Sequence, residues 1–247
     1  MKNLEIDVLC FAAHPDDIEL AASGTVSKLC IEGKSVAIVD FTAGEMGTRG
    51  SKEIRAEEAK NASKIMGIKY RECLNFPDGN LSLTEETEKA AIICIRKYRP
   101  KVVIMNSEFE RHPDHEAVHK IIRKAMFKSG LLKVETTFEG EIQKPHRIRK
   151  MYSYMQSYEF LRKPDFFVDI TDSFQTKMDA IRAYSSQVFV PGVSDEGGPT
   201  TRLSRPEFLQ EVESRAIAHG MLVGFRYAEA FYSVEPIGFK SLSEMVW

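Results

Sequence analysis

Short apolar runs alternate with longer amphipathic stretches through the first half of the chain, and this alternation limits the fold more than any other feature of the sequence. Residues 6–13 read as a strand, 20–32 as a helix ended by Gly33, and 35–42 as a second strand of β-branched character. A glycine-punctuated loop (Gly44 to Gly50) leads to a helix over 51–66 with Ser51 as its N-cap. A strand over 70–74 follows, then a turn and a helix over 84–98 stopped by Pro100. Residues 101–106 are the fourth strand and 114–129 the helix after it. Strands and helices in this order predict right-handed βαβ units, and so an α/β, Rossmann-like fold: a mostly parallel sheet with helices on both faces. The C-terminal third reads as an irregular extension, with strands over 149–155 and 166–170 and helices over 172–184 and 206–219. A Gly/Pro-rich loop over 188–205 has the length of a lid or binding loop. No repeat or linker divides residues 1–247, which are expected to form a single domain.

Composition excludes several function classes. With 43% hydrophobic and 28% charged residues, the chain is neither disordered nor fibrous. A net charge of −2 with interspersed signs leaves no electrostatic footprint for nucleic acid or an anionic membrane. No apolar run approaches the roughly 20 residues that span a bilayer, and acids interrupt the N-terminal stretch where a signal peptide would be apolar, so a cytoplasmic protein is expected. Cys10, Cys30, Cys73 and Cys94 lie in apolar periodic segments without a C-x-x-C pair, which suits reduced core thiols.

The first strand runs directly into His14-Pro15-Asp16-Asp17. Burying carboxylates there costs several kcal/mol or more unless they are paired, protonated or bound to a cation. The fourth strand ends in a similar way, with Arg111 followed by His112-Pro113-Asp114-His115. In a sheet of order 3-2-1-4, strands one and four are neighbours, and the crevice at their carboxyl ends is where such folds bind ligands. His14, Asp17 and His115 then make a site of two histidines and one carboxylate with an open fourth position, the pattern of catalytic rather than structural zinc. Fe2+ or Co2+ also suits such donors. Pro15 and Pro113 stiffen the two turns. Other readings exist for single residues. Asp16 and Asp17 alone would make an N-cap pair. His119 is a rival ligand, an outer partner or a packing residue, Glu19 an outer partner or a solvated acid, and His146 and His219 are structural.

The motifs Ala13-His14-Pro15-Asp16-Asp17 and His112-Pro113-Asp114-His115, in this order on a Rossmann-like frame, resemble those of the PIG-L/LmbE-like zinc-dependent N-deacetylases. The resemblance covers nearly the whole chain. Gly44 to Gly50, Ile54 to Glu58, Asn75 to Gly79, Ser204 to Phe208 and Tyr227 to Phe231 are similar to the branch that deacetylates N-acetylglucosaminyl malate in bacillithiol biosynthesis; related members act on chitooligosaccharides. It implies zinc on His14, Asp17 and His115, with Asp16 as the base that deprotonates the attacking water. His112, held by Asp114 and positively charged, would stabilise the oxyanion. Arg55 would contact sugar hydroxyls, and Arg111 and Arg49 are further substrate candidates, since a malyl group presents two carboxylates to guanidinium. Some relatives bring a tyrosine from the late loop to the oxyanion, but residues 188–205 contain none. The resemblance also implies a small sugar conjugate as substrate and a trimeric or hexameric homo-oligomer. A non-catalytic metal-binding protein on the same fold is the competing class.

Overall fold

The computed structural model describes residues 4–156, 163–194, 197–239 and 241. The strands are β1 (Val8–Ala12), β2 (Val36–Thr42), β3 (Tyr70–Phe76), β4 (Val102–Asn106), β5 (Thr137–Phe138), β6 (Glu141–Ile142), β7 (Lys150–Tyr154), β8 (Phe166–Asp169) and β9 (Ala228–Ser233). The helices are α1 (Asp17–Ile31), α2 (Lys52–Met66), α3 (Glu85–Tyr98), α4 (Pro113–Ser129), α5 (Phe174–Arg182) and α6 (Phe208–Val223). Seven strands form one sheet of order β3-β2-β1-β4-β7-β9-β8, parallel except where β9 pairs with β7 and β8, so the sheet is α/β and mostly parallel, as the alternation predicts.

Every residue of β1 and β2 is buried, because helices cover both faces of the sheet and successive side chains alternate between two cores. Leu9, Phe11, Val39 and Phe41 pack with Ile92 and Ile95 of α3 and Val118, Ile121 and Ile122 of α4. Val8, Cys10 and Ile38 pack on the other face with Ile18 and Val26 of α1, Met66 of α2 and Tyr184. A third cluster joins Leu20 to Ile170, Phe174, Met178, Val188 and Phe208, so the late loop and α6 close over α1.

Several boundaries differ from the sequence reading. α1 begins at Asp17, three residues earlier than its apolar period suggests, since Asp17 and Glu19 are polar yet buried. β3 extends to Phe76, and α6 runs on to Val223 until Gly224 caps it in a left-handed conformation. β9 and the β5–β6 hairpin are not signalled: β9 carries Glu229 on a fully buried strand, and the hairpin strands have two residues each. Residues 188–205 hold no helix or strand where described; 195 and 196 lie outside the described residues.

Glu229 explains why a carboxylate can sit in that strand. It accepts from the main-chain amides of Gly24 (3.0 Å) and Thr25 (2.7 Å) and from the Thr25 hydroxyl (2.6 Å). Lys177 of α5 donates to Glu229 at 2.7 Å and to the Leu20 carbonyl at 2.9 Å. The pair ties α1 to the C-terminal third of the chain, and Gly24 is needed there because a Cβ would stand 2.8 Å from Ile170. Glu229→Gln would leave the Lys177 ammonium buried without a counter-charge, and loss of one partner of such a pair costs about 3–5 kcal/mol. The urea unfolding free energy of this variant is expected to fall by that amount; a loss below about 1 kcal/mol, the range of exposed pairs, would show the pair to be dispensable.

Candidate active site

The site forms where β1 and β4, paired in parallel with Val8 beside Val102 and Cys10 beside Ile104, release the chain at the same edge of the sheet. After β1 the chain turns at Pro15 and passes Asp16 at φ 117°, left-handed backbone that a non-glycine residue rarely adopts. It enters α1 at once, with the Leu20 amide bonded to the Asp16 carbonyl at 2.9 Å. After β4 the chain re-enters helix at Pro113, with His112 as N-cap: its Nδ1 accepts from the Asp114 amide at 3.3 Å.

These turns bring the two histidine motifs into one cluster. Asp17 Oδ1 lies 3.2 Å from His115 Nε2 and 3.8 Å from His14 Nδ1. The His112 ring stands edge-on to His14 with centroids 4.5 Å apart and stacks on His115 at 5.4 Å. Donor atoms of His14, His112 and His115 fall within 4.8 Å of one another. At its other nitrogen, His14 Nε2 lies 2.9 Å from Asp78 Oδ1 and 3.4 Å from Asp114 Oδ2, and those three residues also meet the 4.8 Å limit. Buried acids therefore surround the imidazoles. Burial opposes charge on His14, but Asp114, Asp17 and Asp78 outweigh it and lift its pKa well above the usual imidazole range. Burial likewise opposes charge on His115, and Asp17 lifts it to about 9. A field that holds extra protons on two buried imidazoles is one that attracts a cation. His14 Nε2 and His115 Nδ1 make no hydrogen bond of good geometry but face Asp78 and Glu110, so the opposite nitrogens, His14 Nδ1 and His115 Nε2, are the ones that converge with Asp17 Oδ1. Nitrogen and carboxylate donors with this field fit a divalent ion such as zinc.

Asp16 has a different environment. Its Oδ2 is 3.1 Å from an Arg55 guanidinium nitrogen, and burial, opposed by Arg55 and reinforced by Asp17, pushes its pKa up to about 7. A carboxyl group poised near neutrality suits a general base. Arg55 is buried at 5% exposure and also donates to the Pro15 and Gly44 carbonyls, so it is not the exposed partner of Glu58 that helix spacing allows. Glu58 instead binds the amide and hydroxyl of Ser186, and Arg55 fixes Asp16.

Three expectations need correction. The Asp114 carboxylate does not hold His112; it accepts from the Gly79 (2.7 Å) and Leu81 (3.1 Å) amides and faces His14. Nor do its surroundings favour a charged His112: Nδ1 accepts a hydrogen bond, and burial, then His14 and His115, push its pKa down. The neutral ring carries its proton on Nε2. Glu19 is neither solvated nor against the cluster; it is fully buried between Arg71 (2.5 Å) and Tyr184 (3.2 Å). Arg49 donates to the Ser186 and Pro199 carbonyls, joining the Gly44–Gly50 loop to the late loop, and Arg111 is exposed beside His112. His146 bonds the Pro100 carbonyl at 2.7 Å and His219 packs edge-on against Phe167, as structural residues would.

Sequence reasoning missed Asp78, Glu110 and Asn106. Asp78 lies in the Asn75–Gly79 turn, where an acid beside glycine reads as turn chemistry. Glu110 is buried 3.8 Å from His115 Nδ1 while accepting from the Gln156 amide. Asn106, a polar residue closing an apolar strand at the ligand-binding edge, was the strongest available signal.

The family described as "PIG-L: GlcNAc-PI de-N-acetylase" matches residues 9–126, a segment holding both His-Pro-Asp motifs. Diacetylchitobiose deacetylase of Thermococcus kodakarensis is 32% identical over 240 residues, covering 93% of this chain and 84% of the relative. A Bacillus cereus protein described as "Probable N-acetyl-alpha-D-glucosaminyl L-malate deacetylase 2" is 29% identical over 197 residues, covering 74% and 84%. Among solved structures, the conserved protein TT1542 from Thermus thermophilus superposes with a TM-score of 0.81 at 34% identity, over 95% of this chain and 97% of that one. With the paired motifs inside the matched family segment and nearly the full length aligned to a deacetylase, the chain belongs to the PIG-L family of hydrolytic N-deacetylases.

Proposed function

We propose that the protein removes the acetyl group from a short N-acetylglucosamine saccharide, with diacetylchitobiose as the reference substrate. The observation that carries this reading is Asp16, lifted toward neutrality by burial against the opposing charge of Arg55, beside a cluster of His14, Asp17 and His115. The saccharide rather than the malyl glucosaminide is favoured by the alignment of 93% of this chain to the chitobiose relative and by the fate of the arginines. Arg55 is buried against Asp16 and Arg49 spans two loops, which leaves neither free to receive a dicarboxylate. The malyl reading stands second because Arg111 is exposed next to His112 and forms no ion pair among the described residues.

His14 Nδ1, Asp17 Oδ1 and His115 Nε2 would hold the metal, zinc or another borderline dication. Such an ion supplies a Lewis acid and a water acidic enough to lose its proton near neutral pH. Asp16 accepts that proton as water attacks the acetyl carbonyl and returns it to the departing amine. His112, neutral with its proton on Nε2, donates to the oxygen that gains charge. Asp114 sets the turn that presents His112 through its main-chain amide, and its carboxylate fastens the loop at Gly79 and Leu81.

Acetate release from diacetylchitobiose, N-acetylglucosamine and N-acetylglucosaminyl malate, each with and without chelator, tests the proposal. Turnover on chitobiose above the other two, abolished by chelator and restored by zinc, is expected; preference for the malyl substrate would install the second reading. Asp16→Asn should lower kcat about 10²–10⁴-fold with zinc content unchanged, the usual contribution of a general base. Gly44→Ala is expected to lower kcat as well. Gly44 has φ +69°, and a Cβ there would meet Arg55 Nη1 at 2.0 Å, displacing the guanidinium from Asp16. Wild-type kcat in Gly44→Ala would show that this contact does not govern the base.

A further inference from the structure

The two oxygens of Asp17 have unequal surroundings. Oδ2 receives three N–H donors, from the main-chain amides of Ala13 (2.9 Å) and His14 (3.1 Å) and from the side-chain amide of Asn106 (3.1 Å). Oδ1 faces His115 Nε2 and His14 Nδ1. With three donors on it, Oδ2 has no lone pair free for a cation, so Asp17 is arranged to ligate through Oδ1 alone. Two of the donors belong to the turn after β1 and come with the backbone. The third is a side chain from another strand.

Asn106 ends β4 and is completely buried, and its Oδ1 has no hydrogen-bond partner. The opposite amide orientation would aim that oxygen at the Asp17 carboxylate, so acceptor repulsion selects the orientation that donates. His119 fixes the strand end. Its Nδ1 is 3.0 Å from the Asn106 main-chain oxygen, and since a carbonyl only accepts, Nδ1 carries the proton. His119 is 3% exposed and sits one helical turn after His115 on α4. With Nδ1 committed to Asn106, only Nε2 remains, and His119 lines a different cavity, of about 190 Å³, with Glu108, Arg123, Ser153 and Tyr232. His119 is thus not placed as a ligand.

We infer that Asn106 and His119 are positioning residues for the metal centre: His119 locks the end of β4, and Asn106 holds Asp17 so that a single oxygen is offered to the cation. The inference rests on the proposed metal site. One helix then supplies the ligand His115 and, four residues later, the group that aligns the strand bearing the partner of Asp17.

Competition of the full-length protein with a chromogenic zinc chelator tests this, alongside thermal melting of the metal-free protein to find a temperature at which every variant is folded. Asn106→Ala should weaken zinc binding about 10–100-fold, the usual effect of losing an outer partner of a metal ligand, and lower kcat at saturating zinc with little change in KM. His119→Leu should shift zinc affinity in the same direction by less, and His119→Asn, which keeps a donor near the Nδ1 position, should recover most of it. If Asn106→Ala does not fold, Asn106→Ser and the His119 pair carry the same comparison. Zinc affinity within twofold of wild type in folded Asn106 and His119→Leu variants would overturn the inference while leaving the metal site intact. Failure of the wild type to bind zinc, or unchanged binding in Asp17→Ala, would overturn the metal site and this inference together.

Discussion

The parallel pairing of β1 with β4 is the contact on which the site depends. With Val8 beside Val102 and Cys10 beside Ile104, the two strands end level, and each runs into a proline-stiffened turn that opens a helix. A one-residue slip would exchange the faces of the strand and carry Leu9 and Phe11 out of the core they share with α3 and α4. The register is therefore fixed by apolar burial well away from the chemistry, and the histidine pairs meet because two hydrophobic cores leave no other arrangement.

Concentrating acids at that edge raises an electrostatic problem, which the protein solves with separate cations. Asp16 is served by Arg55. Asp40 and Glu19, one layer deeper, share Arg71, which reaches Asp40 at 2.7 Å and 3.1 Å and Glu19 at 2.5 Å. Glu229 is served by Lys177. What remains around His14 and His115 includes Asp17, Asp78 and Asp114, with no arginine or lysine in an ion pair with any of these three among the described residues. Carboxylates given their own guanidinium or ammonium have fixed charge balance; those left to imidazoles alone form the part of the molecule whose charge a dication would complete.

The scaffold was legible because its signals are local and repeated. β-branched runs, Ser51 as a cap, and Gly33 and Pro100 as helix stops each act over one or two turns, and the chain order of strands and helices then leaves few sheet topologies. The cluster around His14, Asp17 and His115 was legible for a related reason, since both motifs follow strands that such topology makes neighbours. What stayed hidden depends on long-range pairing. Arg55 looks like a surface residue at helical spacing from Glu58, and only the approach of the Asp16 carboxylate and of the Pro15 and Gly44 carbonyls shows that its charge belongs to Asp16. Glu229 gives β9 an acid that contradicts a buried strand until Lys177 and the α1 amides are in place, 52 and about 205 residues away in sequence. The fate of Asp114 could not be read from its position two residues after His112, because its carboxylate answers amides that arrive from the turn after β3.

The left-handed backbone at Asp16 connects these observations. Consecutive carboxylates repel, and here one must stay near neutral pKa while the next stays ionised: burial lifts Asp16 to about 7, whereas His115 and His14, acting against burial, hold Asp17 well below the usual carboxylate range. At φ 117° the chain rotates between them, so that one side chain meets Arg55 and the other meets Asn106 and His115. A non-glycine residue in such a conformation costs on the order of 1–3 kcal/mol and persists only where its surroundings over-determine it. Here they do: Arg55 grips both the Pro15 carbonyl and the Asp16 carboxylate, and α1 takes the Asp16 carbonyl as its first acceptor. The strain separates two chemically identical neighbours into one carboxyl near neutrality and one held ionised, the division that the proposed roles of base and ligand require and that neither a regular strand nor a regular helix would provide.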